Sequence, residues 1–136
     1  MIDQHGDVCI PVGSSTDTDV PAQTSEDCLF VDVFAPADAI NSNKKLPVFF
    51  WIQGGGFAKN SSPRFNGSGL VEAAGNNIVV VLLNYRVGAH GFLAGKEVEQ
   101  GASLNNGLKD QLKALHWVRK HINKVSSLIP DSPHGI

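Results

Sequence analysis

The sequence predicts an α/β fold, a largely parallel sheet with covering helices. Three observations carry this expectation. Two continuous apolar runs, residues 47–53 ("PVFFWIQ") and 78–83 ("IVVVLL"), suit strands buried on both faces. A crossover separates them, as a parallel pair requires. A long amphipathic segment then follows the second run, and a helix of that kind covers a sheet face.

Taken in order, residues 1–27 are rich in Pro, Gly, Ser, Thr and Asp without periodicity, and read as loop or extended surface segment. Residues 29–34 ("LFVDVF") combine β-branched and aromatic side chains with Asp32 as the only break, and read as a strand closed by Pro36. The run at 47–53 ends on Gly54, Gly55 and Gly56. A polar loop follows, then a short helical piece at residues 70–74 ended by Gly75. The run at 78–83 has the length of a strand, and its three adjacent valines decide against a buried helix. Residues 87–103 are glycine-rich and read as loop. In residues 105–124, Leu108, Leu112, Leu115, Val118 and Ile122 recur at helical spacing, predicting the buried face of one helix. Asn105 or Asn106 suits its start, and Lys120, His121 and Lys124 suit its C-terminal dipole. Residues 125–136 have two prolines and no period, and are expected to form a disordered tail.

The bulk composition excludes more than it assigns. At 136 residues the chain has the length of one ordinary domain, and its 42% hydrophobic and 18% charged content fits a globular protein. A net charge of −2 gives no pull toward nucleic acid or anionic membrane. No stretch of eighteen apolar residues exists, so no transmembrane helix is expected. No His/Cys/Asp/Glu grouping has metal-ligand spacing. The N-terminus lacks the basic and apolar regions of a signal peptide. Two cysteines, Cys9 and Cys28, and two N-x-S/T sequons, at Asn60 and Asn66, point instead to an oxidising compartment. Reduced thiols and plain polar loops account for the same residues.

The three glycines are the strongest local signal. On residues alone they fit a flexible strand-to-loop corner and an anion-binding loop equally well, since only glycine combines close backbone approach with unrestricted φ/ψ. Neither G-x-G-x-x-G nor the Walker pattern is matched.

Four blocks, "SEDCLFVDVFAP", "PVFFWIQGGGF", "VVVLLNYRVGAHGFL" and "NNGLKDQLKALHWVRKHI", resemble in this order successive blocks of the type-B carboxylesterase family, the carboxylesterase, lipase and cholinesterase branch of the α/β-hydrolases. Their wording is nearest to the fungal secreted members. The resemblance implies a partial α/β-hydrolase fold: the N-terminal strands of the central sheet with one long covering helix, over residues 1–124. It implies ester hydrolysis through a serine acyl-enzyme, without cofactor or metal. It makes the N–H groups of Gly55 and Gly56 oxyanion-hole donors, Gly54 the residue that allows the turn, and Gln53 a supporting neighbour. It pairs Cys9 with Cys28 across a surface loop, and gives Asp110 a structural role as partner of Arg86 or of a backbone amide.

The same resemblance leaves the chemistry incomplete. No G-x-S-x-G elbow occurs; Ser14, Ser61, Ser68 and Ser103 all fail the pattern. His90 reads as a loop residue, His116 as boundary packing and His134 as part of the tail. The family's acid and histidine lie further along than residue 136. The expectation is a truncated carboxylic ester hydrolase that keeps the oxyanion loop, lacks the triad and is inactive alone. The partner of the intact relative would be a small-molecule ester or lipid. The rivals are a non-catalytic, cholinesterase-like binding module and a standalone small α/β protein.

Overall fold

The computed structural model describes residues 6–12, 24–39, 45–60 and 64–124; the expected tail at 125–136, Ser14, Ser61 and His134 lie outside them. Its centre is β5 (Val79–Leu83), whose five residues are all buried. β3 (Val31–Phe34) pairs antiparallel with one edge of β5, and β4 (Val48–Ile52) pairs parallel with the other. The order β3-β5-β4 makes β4 an edge strand among the described residues. The parallel pair is joined by a crossover through α1 (Ser68–Ala73).

Alternate residues of β5 enter opposite layers, as the pleat requires. Val79 and Val81 join Ala39, Leu46, Val118 and Ile122 beneath α4 (Asn106–His121) and the 3₁₀ turn that continues it (Ile122–Lys124). Val80 and Leu82 pack on Val71 beneath α1. The buried Val, Leu and Ile side chains among these each stabilise by roughly 1.5–3 kcal/mol relative to exposure. The central strand β5 is therefore covered on both faces, which is the α/β arrangement its apolar run implies.

Four expectations need correction. β4 is not buried on both faces: Phe49 and Ile52 are 45% and 47% exposed, because nothing described pairs with its outer edge. The predicted loop at 87–103 holds two short helices, α2 (Gly88–Phe92) and α3 (Lys96–Gly101). Part of the predicted loop at 1–27 forms a two-residue parallel pair, β1 (Val8–Cys9) with β2 (Thr24–Ser25). Finally, α4 buries Gly107, Asp110, Ala114 and Val118, whereas Leu108, Leu112 and Leu115 of the expected inner face are exposed. Val118 and Ile122 are buried as predicted. Asn105 precedes the helix in the left-handed region and makes no side-chain cap.

Candidate active site

The candidate site is the corner at the C-terminal end of β4. Gly54, Gly55 and Gly56 follow Gln53 there, and the chain leaves the sheet through φ values that glycine accepts: +126° at Gly55 and +61° at Gly56. A Cβ added to Gly56 would meet nothing within 4 Å, so its φ, not crowding, is what calls for glycine. Phe57 continues in the left-handed region at φ 62°, a strained conformation for a bulky side chain. Its ring lies 4.8 Å from that of Phe92 in α2, and its carbonyl accepts from Gly88 N–H at 2.6 Å. The Gly55 carbonyl turns back to accept from the N–H groups of Ala58 and Lys59 at 3.1 and 3.2 Å. Among the described residues, no hydrogen bond has the N–H of Gly55 or Gly56 as its donor.

Polar side chains hold the corner from behind. Gln53 is 3% exposed. Its carbonyl accepts from the Tyr85 hydroxyl at 3.0 Å, and burial pushes the Tyr85 phenol up from its ordinary pKa. Its side-chain Nε2 donates to Asn60 Oδ1. Asn60 Nδ2 in turn donates to the Cys9 carbonyl at 2.7 Å. A backbone bond from Val12 N–H to the Ala58 carbonyl, 2.9 Å, adds a second tie to the N-terminal segment. That segment is itself fixed by a Cys9–Cys28 disulfide, with both cysteines 1% exposed.

Arg86 and Asp110 meet one layer away. Asp110 Oδ2 accepts from the Arg86 backbone N–H at 3.1 Å and from Nε at 2.7 Å, and Oδ1 accepts from Nη2 at 2.6 Å. The hydrogen bond to Asp110 is the main cause that raises the Arg86 pKa. The pair joins the end of β5 to α4, and glycines let the chain close around it. A Cβ on Gly91 would lie 2.0 Å from the Arg86 carbonyl oxygen, and one on Gly107 would lie 2.5 Å from it.

The remaining sequence candidates stay apart from the corner's hydrogen bonds. His90 is exposed on α2, beside a cleft of about 270 Å³ lined by Cys9, Glu26, Cys28 and Arg86. His116 is exposed on α4. Ser68 and Ser103 are exposed as well. Asn66 is exposed, and its Oδ1 accepts from the Ser68 backbone and hydroxyl at 2.9 and 2.6 Å. The two sequon asparagines thus differ: Asn66 faces solvent, while Asn60 is half-buried and bonded on both sides of its amide. Sequence reasoning missed Phe57 and this role of Asn60. Phe57 enters the sequence reading only as the last residue of the "PVFFWIQGGGF" block, without its left-handed backbone, and the sequon hid Asn60.

Among the described residues no helix is long and apolar enough to cross a membrane. Comparison with known proteins places these features in context. The model of the "Carboxylesterase family" matches residues 2–126. Carboxylesterase 1D of Rattus norvegicus is 41% identical over 118 residues, covering 86% of this chain and 20% of that protein. A secreted lipase of Arthroderma benhamiae is 34% identical over 133 residues, 88% of this chain and 26% of the lipase. The crystal structure of Aspergillus niger EstA superposes with a TM-score of 0.78 at 46% identity, over 89% of this chain and 23% of EstA. The chain thus spans only a fifth to a quarter of these relatives. It belongs to the carboxylesterase family, and its fold is part of an α/β-hydrolase.

Proposed function

We propose that the chain supplies one wall of the active site of a carboxylic ester hydrolase, acting on a small-molecule ester or lipid without a cofactor. In this reading Gly55 and Gly56 N–H are the oxyanion-hole donors. The observation that carries it is the pair of consecutive positive-φ glycines at the end of β4, whose N–H groups donate to no described residue. Family membership supports placing a reacting carbonyl at such a corner. As a serine oxygen attacks the ester carbon, the C=O π pair moves onto oxygen, and two fixed N–H dipoles stabilise that charge without reorganising. No serine of these 136 residues matches the family's G-x-S-x-G elbow, so in this reading the corner contributes the donors and not the nucleophile. Gly55 and Gly56, and not Gly54, carry the positive φ values of the turn, and Gln53 holds the corner against Tyr85.

Export to an oxidising compartment is part of the same reading. The buried Cys9–Cys28 disulfide supports it, and so does the similarity to a lipase described as secreted.

The test is a chimera in which this chain replaces the matching segment of Aspergillus niger EstA. The chimera should hydrolyse activated esters, such as p-nitrophenyl acetate. Gly55→Ala should cut kcat about 10²–10³-fold if one donor is displaced. Full turnover by the Gly55 variant would sink the oxyanion assignment. A folded chimera without turnover would favour a binding module instead.

A further inference from the structure

The segment from Gln53 to Asn60 is a loop whose two ends are bonded to each other. Gln53 Nε2 donates to Asn60 Oδ1 across seven residues, and three of the residues enclosed are glycines. Glycine loses the most conformational freedom on ordering, so this stretch has the strongest intrinsic tendency to wander. Its conformation is nevertheless specific, with positive φ at Gly55, Gly56 and Phe57 in succession. Closing the base of the loop is what limits that wandering.

Asn60 does more than close the base. Its carbonyl oxygen faces Gln53 and its amide nitrogen faces the Cys9 carbonyl. One side chain therefore links the buried end of β4 to a disulfide-fixed segment 51 residues earlier in the chain. An asparagine suits this task because its amide both accepts and donates. Aspartate keeps the acceptor but places an oxygen against the Cys9 carbonyl, and alanine loses both bonds.

We propose that Asn60 is a positioning residue for the glycine corner, transmitting the rigidity of the Cys9–Cys28 segment to the N–H groups of Gly55 and Gly56. The proposal rests on the reading of those groups as oxyanion donors. It also gives the "NSS" motif a role other than glycan attachment, since Asn60 Nδ2 is already the donor to Cys9.

The experiment places Asn60→Ala and Asn60→Asp in the EstA chimera, beside Gly55→Ala. It measures kcat and KM for p-nitrophenyl acetate, thermal melting, and backbone amide exchange over residues 54–59. Both Asn60 variants should lower kcat about tenfold with KM within about twofold, and should speed exchange at Ala58 and Lys59, whose N–H groups donate to the Gly55 carbonyl. Asn60→Asp, which keeps the bond to Gln53 but opposes the Cys9 carbonyl, should lower the melting temperature and also lose turnover in the folded fraction. Reduction of the disulfide should lower kcat in the parent and add little in Asn60→Ala. Unchanged exchange and unchanged kcat in both variants, with Gly55→Ala still impaired, would overturn the proposal and leave the oxyanion reading standing. A lower melting temperature with kcat unchanged in the folded fraction would also overturn it. Faster exchange with kcat unchanged in both Asn60 variants and in Gly55→Ala would sink the oxyanion reading, and the proposal with it.

Discussion

The two sides of α4 are made differently. The inner side presents Gly107, Asp110 and Ala114, small or polar residues that are all buried. The outer side presents Leu108, Leu112 and Leu115, large apolar residues that are 47%, 52% and 39% exposed. Hydropathy alone would assign them the other way round. On the inner side what matters is distance. The helix approaches the Arg86 carbonyl so closely that only glycine fits at 107, and the Asp110 carboxylate closes the gap by binding Arg86 three times. Close approach and directional bonds seat the inner side of this helix, and Val118 and Ile122 add apolar burial in the core beneath it.

The sharpest way to break that contrast is to add one carbon to the inner side. Gly107→Ala puts a Cβ 2.5 Å from the Arg86 carbonyl oxygen and 2.5 Å from the Phe92 ring. The ring can move, but the backbone oxygen cannot without shifting β5 or α2. Helix propensity favours alanine by about 1 kcal/mol, yet the overpacking should outweigh it. We expect a net loss of about 2–3 kcal/mol in urea denaturation. A gain in stability would show that propensity, not close approach, governs this face.

Next is the ion pair. Among the described residues, Arg86→Met leaves the Asp110 carboxylate, 5% exposed, with only the backbone N–H of residue 86 to answer it. Breaking a buried pair costs about 3–5 kcal/mol, but the Arg86 side chain is 36% exposed and solvent screens part of the interaction. The expected loss is about 2 kcal/mol. Asp110→Asn should cost less, since the freed guanidinium can turn to water. The order of the two variants by chemical denaturation is the check. A larger loss for Asp110→Asn would mean that the arginine, not the carboxylate, is the stranded charge.

These faces also explain what the sequence revealed and what it hid. β5 was legible because three adjacent valines leave little choice but a buried strand. The edge position of β4 was not, because hydropathy reports a residue's preference and not its neighbour. The existence of α4 was legible from its period, but its orientation was not. Val118 and Ile122 lie between the two sides, so the apolar arc is wider than the face that packs. The helices α2 and α3 were hidden by Gly88, Gly91, Gly95 and Gly101, which read as breakers. Gly91 is there because the Arg86 carbonyl leaves no room for a Cβ. At the candidate site the glycines announced themselves. Their restraint by Asn60 did not, since it depends on a contact with Cys9 that no local pattern encodes.

The outer side of α4 gives the smallest expected effect and the most direct test of its exposure. Leu112→Lys keeps helix propensity nearly constant, so the change reports burial alone. A buried leucine lost from a core costs about 2–5 kcal/mol, whereas a surface substitution stays within about 0.5 kcal/mol. Leu112 is 52% exposed and should fall near the surface value. The measurement is a urea denaturation curve run at two protein concentrations. A loss above about 2 kcal/mol that depends on concentration would mean that a second copy covers this side in solution. The large apolar residues of α4 would then be doing between chains what the small ones do within one.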